Sequence, residues 1–101
     1  MLQLRPTCEN CNKPLPPASP DARICSYECT YCSDCALLLR DVCPNCGGNF
    51  VTRPIRPAHE WKPGVFLGKQ PATAEVTYKP TDYFAHATLV ERVGHIPPEN
   101  R

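Results

Sequence analysis

Eight cysteines fall between positions 8 and 46 of this 101-residue chain, and none follows. They run Cys8-x2-Cys11, then Cys25-x3-Cys29-x2-Cys32-x2-Cys35, then Cys43-x2-Cys46. Eight thiols fill two tetrahedral four-sulfur sites with none left over, the coordination that structural zinc prefers. The cysteine-bearing half is too small to build a self-sufficient apolar core, so it needs a staple. Met1-Leu2-Gln3-Leu4-Arg5-Pro6 has neither the apolar stretch nor the small-residue cleavage site of a signal peptide. No run of the chain approaches the roughly 20 apolar residues that span a bilayer. The expectation is a cytoplasmic protein, and a reducing compartment favours metal over disulfides. The expected cofactor is therefore two Zn²⁺.

The segments around the cysteines suggest how the sites form. Cys8-Glu9-Asn10-Cys11-Asn12 and Cys43-Pro44-Asn45-Cys46-Gly47 have the form of zinc knuckles, turns that wrap a metal and aim backbone N–H groups at sulfur. Such a turn needs a left-handed residue after its second cysteine, which Gly adopts freely and Asn tolerates. Pro14 to Asp21 is a stiff loop. Arg23-Ile24-Cys25 and Cys29-Thr30-Tyr31 read as a small hairpin. Ala36-Leu37-Leu38-Leu39-Arg40 reads as a helix entered through Ser33-Asp34.

Knuckle, hairpin, then a helix carrying a cysteine pair is the treble-clef plan. It groups Cys8, Cys11, Cys32 and Cys35 as site 1, which leaves Cys25, Cys29, Cys43 and Cys46 as site 2. Sequential grouping is the alternative, with Cys8, Cys11, Cys25 and Cys29 in one site and Cys32, Cys35, Cys43 and Cys46 in the other. That second site would have to close around a helix and return loop of seven residues. The interleaved form is favoured. The fold class expected is a small metal-stabilised α+β domain with a short hairpin and one short helix, followed by a Pro-rich C-terminal extension.

A catalytic zinc keeps an open position, typically beside three protein ligands. Sites closed by four sulfurs do not, and no paired carboxylates, Ser–His arrangement or Gly-rich phosphate loop accompanies them. The expectation is a protein that is not an enzyme. His59, His86 and His95 lie at unrelated spacings in the second half and read as surface or packing residues. Iron–sulfur ligation fits less well. The run ending at Cys43 has a last gap of seven residues, where the bacterial ferredoxin run has about three.

Charge bears on the partner. Over residues 1–50, Arg5, Lys13, Arg23 and Arg40 stand against Glu9, Asp21, Glu28, Asp34 and Asp41, giving −1. Each Zn²⁺ with four thiolates adds −2, so this half reaches −5. A duplex-binding module needs the opposite sign to displace counterions from phosphates, so nucleic acid is disfavoured.

The chain divides into a two-zinc domain over residues 1–57 and an extension over 58–101. Arg53-Pro54-Ile55-Arg56-Pro57 should be extended, because each proline excludes helix at the residue before it. With Trp61, these five residues are the candidate partner-binding segment, a stiff stretch suited to recognition. They could equally form a strap packed over the domain. Beyond a largely irregular stretch, a helix is expected over about 82–93, with Thr81 as N-cap and Gly94 as a left-handed stop. The leading functional expectation is a non-catalytic module that binds another protein. A redox- or metal-responsive regulator is the alternative. A nucleic-acid-binding accessory protein, stacking bases on Trp61, Tyr78 and Tyr83, is a further one.

The full spacing resembles the RING-finger cross-brace at all eight ligand positions, with Cys29 where RINGs usually place His. That resemblance implies the fold. It implies ligase activity less, because Asn10 stands where ligase RINGs usually carry an apolar residue and Gly47 where many carry Arg. From about Met1 to Pro57 the chain is more closely similar to a family of small bacterial cysteine-rich proteins catalogued as domain of unknown function 1272. Leu4-Arg5-Pro6-x-Cys8-Glu9-x-Cys11, Ala22-Arg23-Ile24-Cys25-Ser26-x-Glu28-Cys29-Thr30-x-Cys32 and Cys43-Pro44-Asn45-Cys46-Gly47-Gly48 carry the likeness, together with Leu15-Pro16-Pro17 and Arg53 to Pro57. It implies zinc binding and little more.

Overall fold

A computed structural model describes residues Met1–Arg101. The first strand, β1 (Ala22–Ile24), and β2 (Thr30–Cys32) form the expected antiparallel hairpin, with Arg23 opposite Tyr31. The connecting turn closes through Cys25 N–H donating to the Cys29 carbonyl at 3.2 Å. Glu28 supplies its left-handed residue, at φ 68°.

A third strand, β3 (Val51–Thr52), pairs with the other edge of β1, giving the order β2-β1-β3. The hairpin reading did not include it. Two residues carry no period, and both side chains are exposed. The strand exists because Arg23 and Ile24 offer β1's free edge, and Arg53 N–H extends the pairing to the Ala22 carbonyl at 2.9 Å.

Helix α1 (Ser33–Leu38) follows β2 without a loop. Its N-cap is Cys32, whose sulfur accepts from Cys35 N–H at 3.4 Å. A thiol therefore does the job that sequence reasoning gave to Ser33-Asp34. The Ser33 hydroxyl instead donates to Asp21, which also pairs with Lys13. After Leu39 the chain turns sharply. Arg40 and Asp41 are both left-handed, at φ 55° and 58°. Phe50 N–H donates to the Asp41 carboxylate at 2.9 Å and holds this turn against the strand that follows.

The packed core contains eleven residues, and six of them are cysteines: Cys8, Cys25, Cys29, Cys32, Cys35 and Cys43. Leu15, Ala22, Leu39 and an edge-on Tyr31–Phe50 pair 5.2 Å apart fill the space between the sulfurs. The interior is thus mostly thiol where a larger domain would have aliphatic side chains.

The extension packs on the domain. Thr73 N–H donates to the Leu4 carbonyl at 3.1 Å, and Lys79 N–H donates to the Glu9 carbonyl at 2.7 Å. Helix α2 (Tyr83–Val93) then docks through His86, its one buried residue, whose Nε2 lies 2.8 Å from the Val42 carbonyl oxygen. At the far end the Arg101 guanidinium donates to the carbonyls of Asp41 and Gly47. The result is elongated, 46 × 27 × 18 Å, with a radius of gyration of 14.6 Å. A sphere-like chain of this length has about 13 Å.

Two details of α2 correct the sequence reading. The N-cap is Asp82, whose carboxylate accepts from Phe84 and Ala85 N–H. Thr81 does not serve: its hydroxyl is buried and meets no N–H of the helix, while its own N–H donates to Asn10. Gly94 is right-handed (φ −62°) and bonds to the Val90 carbonyl. Glycine is required there for space, since a Cβ would lie 2.6 Å from that carbonyl oxygen.

Candidate metal centres

The two knuckles fold alike. In each, the first cysteine's carbonyl accepts from the residue after the second cysteine: Asn12 N–H to Cys8 at 2.9 Å, and Gly47 N–H to Cys43 at 2.8 Å. Those two residues are left-handed, at φ 65° and 77°. This conformation tilts backbone N–H groups toward sulfur. Cys11 N–H points at Cys8 Sγ (3.5 Å), Asn45 N–H at Cys43 Sγ (3.4 Å) and Gly48 N–H at Cys46 Sγ (3.4 Å).

The first knuckle meets the start of α1. The sulfurs of Cys8, Cys11, Cys32 and Cys35 all lie within 4.8 Å of one another. A tetrahedron with bonds of about 2.3 Å has sulfur–sulfur edges of about 3.8 Å. Cys11 Sγ and Cys32 Sγ are 3.8 Å apart, so the donor set fits a tetrahedral divalent ion.

The second knuckle meets the β1–β2 turn. The sulfurs of Cys25, Cys43 and Cys46 lie within 4.8 Å of one another. Cys29 stands outside that common distance but beside the same cluster, at the other end of the turn that Cys25 N–H closes onto the Cys29 carbonyl. The Asn45 amide holds its sulfur from the other side at 3.4 Å. The structure groups the cysteines in the interleaved way, and the sequential grouping does not occur.

Packing thiols this closely has an electrostatic consequence. Hydrogen bonding with Cys43 pulls the Cys29 thiol down to about 5, against burial and with help from the Asn45 amide. Cys43 is in turn pushed up, by the Cys29 sulfur first and by burial second. Burial pushes Cys25 up to about 11 and raises Cys35 as well. One anion in such a cluster suppresses the next, and a central dication reverses that penalty by neutralising all of them. Cys11 and Cys46 are exposed residues and the other six cysteines are buried, so each cluster has one member at the surface.

The candidate partner segment comprises a buried Arg53, a half-buried Arg56 and exposed neighbours. Arg53 is 1% exposed. Its guanidinium donates to the carbonyls of Arg5 (2.9 Å), Leu15 (3.1 Å) and Pro16 (3.1 Å), tying its own segment to two others. Both terminal nitrogens are taken by these carbonyls, and the Nε–H is buried without a partner. Arg56 is half-buried and clamps the carbonyls of Leu2 and Gln70 at 2.7 and 2.6 Å. Pro54, Ile55, Pro57 and Trp61 remain exposed.

Sequence reasoning missed Arg53 as a structural pin, Glu9 as a buried carboxylate, and the two asparagines before the second knuckle cysteines. Glu9 pairs with Arg5 at 2.7 Å and accepts from Thr30 N–H. Asn10 and Asn45 each donate to a cluster sulfur. Their shared place in the two knuckles was a readable signal.

Two sulfur clusters interleaved along a small α+β scaffold define a cysteine-rich domain able to hold two metal ions. The chain belongs to the family described as "Protein of unknown function (DUF1272)", whose pattern matches residues 1–56. It is 51% identical over 81 residues to "Uncharacterized protein R02474" of Rhizobium meliloti (strain 1021), covering 79% of this chain and 89% of that one. An alignment of 81 residues outruns the 56 of the family pattern, so the likeness continues into the extension. No solved structure matches the chain.

Proposed function

We propose that the protein is a non-catalytic, zinc-stapled module that binds another protein. Cys8, Cys11, Cys32 and Cys35 would hold one Zn²⁺; Cys25, Cys29, Cys43 and Cys46 would hold the other, with Cys29 moving in as fourth ligand. Bound zinc would supply folding free energy and fixed geometry, not chemistry. The observation that carries this reading is that the sulfurs occupy the domain's own core. A metal there acts first as structure.

Four-sulfur closure, backed by backbone N–H groups, supports the non-enzymatic part of the reading. Exposed apolar groups support the binding part: Leu37 and Leu38 on α1, Phe84 on α2 at 92% exposure, and Trp61 at 78%. Thiol-rich sites of this kind suit a reducing cytoplasm. The test has two stages. Elemental analysis and native mass spectrometry of the purified chain should give two zinc ions per molecule. Proximity labelling in the source bacterium should then recover a protein set that is lost with Leu37→Ser/Leu38→Ser while zinc content is unchanged. One zinc or none, or an unchanged labelling set, refutes the proposal.

One observation favours a second reading. Cys11 and Cys46 are exposed members of their clusters, the cysteines an oxidant would meet first. A redox-responsive regulator would release zinc in dilute peroxide and recover it with thiol reductant. Retention of both ions in peroxide excludes that role.

A further inference from the structure

The two metal clusters are each joined to the extension by one asparagine, and the two junctions have the same wiring. Asn10 gives one amide N–H to Cys35 Sγ at 3.4 Å and the other to the Tyr83 hydroxyl at 2.9 Å. Its carbonyl oxygen accepts from Thr81 N–H at 2.9 Å. Asn45 gives one amide N–H to Cys29 Sγ at 3.4 Å and the other to the Tyr31 hydroxyl at 3.2 Å. Its carbonyl oxygen accepts from the Lys79 ammonium at 3.0 Å. Both asparagines occupy the position just before the second cysteine of their knuckle. The extension residues that meet them, within 79 to 83, form one short stretch that also anchors through Lys79 N–H to the Glu9 carbonyl.

We propose that Asn10 and Asn45 are positioning residues that couple metal occupancy to docking of residues 79–83, each asparagine serving its own cluster. The reasoning is electrostatic. An N–H donated to a thiolate sulfur is a charge-assisted bond and strengthens as the sulfur gains anionic character. A cation that fixes four thiolates holds that character in place and orients the amide. The oriented amide then presents its oxygen to the extension. A four-thiolate site around a divalent ion carries −2, which also favours the Lys79 ammonium beside the second cluster. Coupling of this kind is reciprocal: whatever the metal does for docking, docking does for metal affinity by the same factor.

The inference rests on the proposal that both clusters take a divalent ion, and one experiment separates the two. The full chain is loaded with ¹¹³Cd²⁺, a tetrahedral thiolate-binding stand-in whose resonance responds to hydrogen bonds at its sulfur ligands. The wild-type chain should give two resonances. Tyr83→Phe removes the hydroxyl that fixes the Asn10 amide and should move only the resonance assigned to the first cluster. Lys79→Met removes the ammonium from Asn45 and should move only the other. Both changes lie in the extension, so neither removes a metal ligand or a core side chain. Asn10→Ala and Asn45→Ala should lower affinity at their own cluster about 10–100-fold, measured by chelator competition. Fewer than two Cd²⁺ per wild-type chain overturns the metal reading and this inference with it. Two bound ions whose resonances ignore both extension variants, or follow both equally, overturn the inference alone.

Discussion

Arg53 offers the most quantitative test of how this domain holds together. Its side chain is buried and has no carboxylate partner, only the backbone oxygens of Arg5, Leu15 and Pro16. A hydrogen bond from a charged donor contributes about 1.5–3 kcal/mol, so three contribute roughly 5–9 kcal/mol gross. Burying a guanidinium away from water costs several kcal/mol, which truncation recovers. The expected net loss for Arg53→Ala is about 2–4 kcal/mol. Arg53→Lys separates charge from geometry. An ammonium keeps the charge but cannot span three carbonyls spread over two other segments, so it should lose nearly as much. The assay is urea unfolding at fixed, saturating free zinc, so that metal linkage is constant between variants. A loss under about 1 kcal/mol for both variants would refute the idea that this guanidinium pins the three segments together.

Chelation of the metal should abolish β1, β2 and α1 together, since structural zinc contributes on the order of 10 kcal/mol per site; a far-ultraviolet circular-dichroism spectrum unchanged in chelator contradicts this. Cys35→Ser should lower the metal count from two to one and loosen α1, as read by native mass spectrometry and amide exchange. Glu9→Ala should cost about 3–5 kcal/mol by stranding the part-buried Arg5 guanidinium and the Thr30 N–H, whereas a cost near zero would show that water replaces the carboxylate freely. Arg40→Gly should raise stability by up to about 1 kcal/mol, because Arg40 is left-handed at φ 55° and glycine removes that strain. A thermal midpoint lower than wild type would mean that the Arg40 side chain makes up for its backbone.

Local rules made part of this fold readable. Cysteine spacing, the left-handed Asn12 and Gly47, and the apolar run after Cys35 each depend on a few neighbouring residues. Each leaves a mark in the sequence because no distant partner is needed. The interleaved grouping was also reachable, since loop length disfavours closing a site around α1. Other features left no such mark. β3 is two exposed residues whose strand character comes wholly from the free edge of β1. Arg53 stands just before a proline and looks like a solvent-facing cation until the fold surrounds it with carbonyls. The docking of residues 79–83 joins positions more than 70 apart, and nothing in the composition of the extension announces it. Thr81 shows the limit well: it has good capping chemistry, but its hydroxyl is buried and meets no N–H of the helix, and the cap falls to Asp82.

The interleaving of the two clusters has a consequence for synthesis. As the chain leaves the ribosome, Cys8 and Cys11 emerge first and must wait for Cys32 and Cys35. By then Cys25 and Cys29 are also out, still lacking Cys43 and Cys46. Until position 43 emerges, six thiols compete for one completed four-sulfur site. Mispaired coordination, the sequential grouping included, is open to the nascent polypeptide at that stage. The pin at Arg53 and the clasp near residue 80 arrive last, which orders assembly from sulfur to backbone to extension.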